Sequence, residues 1–303
     1  MRTPSLLLSC LVACGSPSAD GEPTPPEPCN GRSDLCDRRL DQVVLPATHN
    51  SMSSAEDGFL APNQQFALAQ QLDDGIRGFL LDTYLWEGEA WACHSNCAWG
   101  ARRLDALFAD VVDFLDEHPR EVLVFVLQDS LSQEDTEDVL REVGLLERIH
   151  AVADPEAPWP TLEALIDAGT PVVMTRESGG AGPDWYRPFY DLGFDTPYSF
   201  REPEDFTCDV LRGAAEHALF LVNHWVSRPL PVREGGADVV NQADVLGPRV
   251  EDCTAAYGRP PNLVAVDHYD VGDLFEVVDA ANDREAEALG DVPTGSLQRR
   301  RGR

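Results

Sequence analysis

Val122-Leu123-Val124-Phe125-Val126-Leu127 is apolar at six consecutive positions and closes on Gln128-Asp129. Strict alternation marks a strand with one wet face. An unbroken apolar run of this length marks a strand covered on both faces, as the parallel strands of α/β folds are. The same grammar, an apolar run closed by polar residues, recurs along the chain. It predicts further strands over 42–48, 78–84, 90–94, 171–175, 218–223 and 263–267, with a weaker one near 196–200. Helical patterns fill the gaps at 64–74, 104–117, 133–147, 161–168, 210–216, 237–256 and 272–288. In the second of these, Leu104, Leu107, Phe108, Val111, Val112 and Leu115 recur at helical spacing and make one apolar face. Strands alternating with helices, and no second compositional regime, predict one (β/α)8 TIM-type barrel over residues 41–289, distorted or incompletely closed.

The ends of the chain read differently. Arg2 and the short run Leu6 to Ala13 fit a signal sequence, because the run is too short to span a bilayer. Leu11-Val12-Ala13-Cys14 resembles a bacterial lipobox, which makes residues 1–14 a lipoprotein signal and Cys14 the lipidated anchor to a membrane. Residues 15–40 begin as a Pro/Ser/Glu-rich tether, and residues 290–303 end as a disordered basic tail. An exported bacterial lipoprotein of the cell envelope, or an extracellular protein, follows as the expected location.

Setting Cys10 and Cys14 aside leaves six of the eight cysteines, an even number that suits disulfides in an exported chain. Proximity favours Cys29–Cys36 and Cys93–Cys97 as local loops, with Cys208–Cys253 as the long one. A zinc site at Cys93-His94-Ser95-Asn96-Cys97 lacks a second ligand pair of matching spacing. The net charge of −30 argues against a nucleic-acid partner, since phosphate backbones are held by cations. It also opposes simple electrostatic adsorption to an anionic membrane. Trp86, Trp91 and Trp99, around His94, suit either an interfacial rim or ordinary packing.

In a barrel of this kind, reactive groups collect at the carboxyl ends of the strands. Those ends carry His49-Asn50, Asp82, His94, Gln128-Asp129, Arg176, Asn223-His224 and Asp267-His268. Two histidines at separate strand ends suit phosphodiester cleavage by an internal hydroxyl. That reaction needs a base for the nucleophile and an acid for the leaving oxygen, and imidazole serves as either near neutral pH. A carboxylate such as Asp267 can hold one imidazole in a single tautomer. His118 and His150, in helix-end and loop settings, read as ordinary packed or surface histidines.

Ala47-Thr48-His49-Asn50-Ser51 resembles the first-strand motif of phosphatidylinositol-specific phospholipase C X-domains. Gln70-Gln71-Leu72-Asp73-Asp74-Gly75-Ile76-Arg77-Gly78-Phe79-Leu80-Leu81-Asp82 is similar to the family's second-strand segment, and Cys93-His94 follows in order. His118-Pro119-Arg120-Glu121-Val122 through Gln128-Asp129, and Val264-Ala265-Val266-Asp267-His268-Tyr269, are similar to the fourth- and last-strand segments. The resemblance implies His49 as base toward the inositol 2-hydroxyl, Asp267 as its partner, and His94 as acid toward the diacylglycerol oxygen. The implied products are a cyclic inositol phosphate and diacylglycerol. Arg176, Gln128 and Tyr269 are the implied substrate contacts.

The departures from the family bear on the metal. Asp82 stands where metal-independent bacterial members carry an arginine. Asn50 with Asp82 matches the calcium-dependent members, so these two are the expected metal ligands, with calcium ahead of magnesium. Leu80 and Gln128 occupy the places of two glutamates, and Asp129, Glu56 or Asp57 are the acids at hand to compensate. Two other functions stay open. One is a related metal-dependent phosphodiesterase acting on glycerophosphodiesters or sphingolipids, although Leu80 sits where those enzymes carry a glutamate. The other is a non-catalytic surface lipoprotein that binds inositol-type or glycan ligands.

Overall fold

In the computed structural model, which describes residues 27–227 and 236–290, the apolar runs become the spine of one sheet. Its strands are β1 (Leu45–Thr48), β2 (Gly78–Trp86), β3 (Glu89–Ala92), β4 (Arg102–Arg103), β5 (Leu123–Asp129) and β6 (Val172–Arg176). They continue as β7 (Arg187–Pro188), β8 (Gly193–Asp195), β9 (Arg212–Gly213), β10 (Leu219–His224) and β11 (Leu263–Val266). The parallel ladder runs β7-β6-β5-β2-β1-β11-β10-β8. Its ends, β7 and β8, form no ladder with each other among the described residues, so the sheet curls into a barrel open on that side.

Alternation along each strand divides the apolar residues into two layers. Leu45, Ala47, Val124, Val126, Val173, Leu221, Leu263 and Ala265 pack inside the barrel. Phe79, Leu81, Phe125, Leu127, Met174, Val264 and Val266 face outward beneath the helices. The helices are α1 (Leu68–Asp74), α2 (Leu104–Glu117), α3 (Gln133–Glu142), α4 (Leu162–Asp167), α5 (Phe189–Leu192), α6 (Asp238–Val240), α7 (Ala243–Tyr257) and α8 (Leu274–Leu289). The apolar face expected of α2 is the buried one, through Leu104, Leu107, Phe108, Val111, Phe114 and Leu115. Helix α1 stops at Gly75, whose left-handed φ of 108° lets its N–H cap the last turn. At Gly78 a Cβ would come within 2.6 Å of a Leu263 methyl and 2.7 Å of Ala47, so the inner layer closes there only around a glycine.

The strand over 90–94 is not a stave of the barrel. β2 runs past the barrel rim to Trp86, reverses at Glu87-Gly88, where both φ angles are positive, and returns as β3 antiparallel to it. The short β7 takes its place in the parallel count. The segment 196–200 is not a strand either. β8 ends at Asp195, and Phe200 makes only an isolated bridge to Val226. Residues 210–216 hold β9 rather than a helix. The predicted helix over 237–256 breaks at Asn241, whose side chain donates to the main-chain carbonyls of Asp267 (2.8 Å) and His268 (3.3 Å).

Disulfides join Cys29–Cys36, Cys93–Cys97 and Cys208–Cys253, so none of these sulfurs is a thiolate open to zinc. No described helix is long and apolar enough to cross a membrane. The signal sequence, Cys14, most of the tether and the basic tail lie outside the described residues.

Candidate active site

Residues on the inner face of a strand recur every second position, and the same parity carries them into the barrel mouth. Leu45 and Ala47 lead to His49, Leu263 and Ala265 to Asp267, and Val124 and Val126 to Gln128. Leu80 leads to Asp82, Val173 to Glu177 by way of Thr175, and Leu221 to Asn223 and Trp225. The side chains of His49, Asn50, Leu80, Asp82, His94, Gln128, Glu177, Tyr198, Arg212, Asn223 and Trp225 line one cleft of about 220 Å³.

His49 is fixed from several directions. Its N–H donates to Val266 O (2.9 Å), and its carbonyl accepts from Gln64 Nε2 (2.8 Å). The turn that follows is held by Ser51 N–H to Leu80 O (2.9 Å) and by Asn50 at a φ of 47°. His49 Nδ1 lies 2.8 Å from Asp267 Oδ1. A carboxylate only accepts, so Nδ1 carries the proton and Nε2 keeps its lone pair. Asp267 is steadied in turn by Asn63 Nδ2 (3.0 Å), and Asn63 Oδ1 accepts from Asn50 Nδ2 (3.3 Å). The His49 ring stacks on Trp225 with centroids 3.8 Å apart and planes 2° from parallel.

His94 follows the hairpin rather than a barrel strand. The Cys93–Cys97 bridge closes the loop that carries it, and Ser95 adopts a φ of 61° within that loop. Burial lowers the His94 pKa and the proximity of His49 lowers it further, while Asp267 opposes both. His94 is therefore readily neutral in the free cleft and gives up a proton easily once protonated.

Across the cleft, Asp82 and Gln128 stand opposite each other in the β2–β5 register. In the amide orientation that satisfies both groups, Gln128 Nε2 donates to the two Asp82 oxygens at 3.1 and 3.3 Å. Burial pushes the Asp82 carboxyl up to about 7; His49 draws it down and Glu177 adds to the rise. Arg212 reaches the cleft from β9. It pairs with Asp195 through Nε (3.0 Å) and with Glu177 Oε1 through Nη1 (3.2 Å), and it lies over the rings of Tyr190 and Tyr198. Two carboxylates already neutralise this guanidinium, so it leaves little charge for an anionic ligand.

Of the residues given a catalytic, metal or substrate role from the sequence, His49, Asn50, Asp82, His94 and Gln128 meet in the cleft, with Asp267 bonded to His49. Two do not. Arg176 faces away, because strand parity sends it to the outer face. It donates there to Tyr186 O (3.2 Å), Gly180 O (2.9 Å) and Ala181 O (3.1 Å). Tyr269 is buried between Phe66 and Phe275, and its hydroxyl donates to Asp74 Oδ2 (2.6 Å). The acids expected to compensate for Leu80 and Gln128 are also engaged elsewhere: Asp129 with Ser178 N–H (2.9 Å), Glu56 with Ala67 N–H (2.9 Å), and Asp57 with Arg102 (3.4 Å). Glu177, Arg212, Tyr198 and Trp225 were not foreseen as site residues, although parity along β6 and β10 points to Glu177 and Trp225. Trp86 and Trp91 pack edge to face away from the cleft, and Trp99 is exposed beside Leu60. His118 packs on Phe114, and His150 lies near Trp159.

Fold and site together define a parallel α/β barrel, open on one side, with two histidines, one of them carboxylate-held, in the mouth at its carboxyl end. The chain belongs to the PI-PLC X family, whose model matches residues 35–282. It is 27% identical over 270 residues to PI-PLC X domain-containing protein 1 of Arthroderma benhamiae, covering 82% of this chain and 87% of that one. An uncharacterized secreted protein of the same fungus is 27% identical over 286 residues. That match covers 85% of this chain, which spans only 63% of the fungal protein's length. Among solved structures, the phosphatidylinositol-specific phospholipase C of Staphylococcus aureus superposes with a TM-score of 0.58 at 12% identity, covering 82% of this chain and 96% of that one. At that identity the likeness is one of fold.

Proposed function

We propose that this protein cleaves phosphatidylinositol-type phosphodiesters by internal attack of an inositol hydroxyl, releasing a cyclic inositol phosphate and diacylglycerol. One observation carries the reading: His49, with Nδ1 held by Asp267, presents Nε2 to a cleft that it shares with His94. His49 Nε2 takes the proton of the 2-hydroxyl as its oxygen bonds to phosphorus. The bond from phosphorus to the diacylglycerol oxygen breaks, and His94 supplies the proton that oxygen needs. Asp267 holds the tautomer and faces the positive charge formed at His49 during the step. The name of the staphylococcal neighbour and the family itself support the substrate class. The apolar Leu80 at the cleft floor weighs against glycerophosphodiesters and sphingolipids, and the joint presence of His49, His94 and Asp267 weighs against a mere binder.

A cation belongs to the same reading. Asn50, Asp82 and Gln128 offer oxygen donors, the ligand type that calcium and, less readily here, magnesium take. Asn50 Nδ2 is engaged by Asn63, which turns the amide so that its oxygen is the atom without that duty. Glu177 is the further carboxylate in the cleft, with its Oε1 already paired to Arg212 (3.2 Å). When bound, the cation would supply the positive charge against phosphate that Arg212, already paired, does not.

The disulfides suit an oxidising compartment outside the cell. We place the domain there, tethered to a membrane through a lipid on Cys14; an unmodified Cys14 in the mass of the mature chain would contradict the tether. Turnover of phosphatidylinositol vesicles, lost in a chelator, restored by calcium and abolished in His49→Ala, tests the function. No turnover of any phosphodiester with or without calcium rejects it, and full turnover in a chelator rejects only the cation.

A further inference from the structure

We infer that Trp225 is a positioning residue for His49: its indole fixes the plane of the imidazole so that Nε2 meets the attacking hydroxyl, and it acts on turnover rather than on substrate affinity. The inference rests on the function proposed above.

Asp267 holds His49 by one edge only, through Nδ1. A single hydrogen bond leaves the ring free to rock about its Cβ–Cγ bond while Nδ1 stays within reach of Asp267, and that motion shifts Nε2 in the cleft. The Trp225 stack limits this freedom on one side, because parallel rings at 3.8 Å leave no room for the imidazole to tilt toward the indole. The indole is itself held in place by packing. Trp225 is 7% exposed and belongs to the inner core layer. Its backbone leaves β10 and is pinned at once by the Val226–Phe200 bridge, by Ser227 N–H to Phe200 O (2.6 Å) and by Ser227 Oγ to Tyr198 O (2.9 Å). The stack also shields one imidazole face from water and places a π-face against the cation that forms during turnover. Edge and face together define one position for Nε2, and small displacements of a reacting group cost large factors in rate.

The test compares the full-length protein with Trp225→Phe and Trp225→Leu, with Trp225→Met as a second ringless variant should the leucine form fail to fold. The first readout needs no activity. In NMR spectra of histidine-labelled protein, the His49 ring protons, assigned by their loss in His49→Gln, lie upfield in the wild type and move downfield in the ringless variants. The second is kinetic. The ringless variants lose kcat by about 10- to 100-fold with KM within about twofold, and Trp225→Phe recovers most of the loss. A ringless variant with displaced His49 signals and wild-type kcat overturns the inference alone. So does a loss that falls on KM, which would make Trp225 a substrate contact. A wild-type protein that turns over no phosphodiester removes the proposed function and this inference with it.

Discussion

His49 and Asp267 stand at the ends of adjacent parallel strands, in the register that pairs Thr48 with Val266, and their side chains meet at 2.8 Å. The contact is a product of strand order: β1 and β11 lie far apart in sequence, and only closure of the sheet between them joins the two residues. Replacing Asp267 by asparagine keeps the shape but allows the imidazole to adopt the other tautomer. We expect Asp267→Asn to lower kcat/KM by about 10²- to 10⁴-fold with little change in thermal stability. Steady-state kinetics beside a melting curve checks this, and near-normal turnover would contradict the role given to Asp267.

Asp82 gives a pH dependence of definite sign. Its carboxyl lies at about 7 in the folded protein against 3.8 ordinarily. Between those values the native state holds a proton that the unfolded chain has lost, so stability falls as pH rises through that window. The penalty is fully developed above pH 7 and amounts to a few kcal/mol, lessened by the Gln128 amide that donates to the charged form. Asp82→Asn should therefore melt higher than the wild type at pH 8 and alike at pH 3.5. Calcium should raise the melting temperature of the wild type at pH 8 and leave Asp82→Asn unmoved. A calcium-independent melting curve would remove the cation from the account.

His224 gives the opposite case. It is fully buried on the outer side of β10, with Nε2 2.8 Å from Val240 O, and burial lowers its pKa to about 4 from 6.5. The folded protein keeps it neutral, so its contribution is intact above pH 6.5 and is lost as pH falls toward 4, by roughly 3 kcal/mol in all. Urea unfolding at pH 7.5 and 4.5 should show that loss in the wild type and a smaller one in His224→Gln. Equal losses in both would shift the acid sensitivity to other groups.

Gly78 tests the packing beneath the site. An added methyl meets Leu263 and Ala47 at distances no real contact shows, so Gly78→Ala should destabilise by about 1–3 kcal/mol. Urea midpoints decide it, and an unchanged midpoint would mean that the inner layer yields at little cost.

Much of this was legible in the sequence, for a physical reason. A strand buried on both faces must be apolar throughout, so the run at 122–127 and its counterparts stand out, and the first polar residue past each run falls at the barrel mouth. That is how His49, Asp82, Gln128 and Asp267 could be named. Sequence and structure part where a strand does not stop at the rim. β2 continues into a hairpin, so 90–94 resembled a barrel strand, although His94 still reached the cleft through the loop it carries. Arg176 reads as a site residue because it ends an apolar run, but it does so on the outward parity, and its neighbour Glu177 holds the inward one. Arg212 left no such trace, since β9 spans only two residues and it reaches the cleft through ion pairs with Asp195 and Glu177.

The central claim is that His49 and His94 act as base and acid in an internal phosphoryl transfer. ³¹P NMR of phosphatidylinositol turnover tests it most directly. A cyclic inositol phosphate is expected as the first product from the wild type, and none from His49→Ala or His94→Ala. Direct release of a linear inositol phosphate with no cyclic species, or undiminished turnover in either histidine variant, would contradict it.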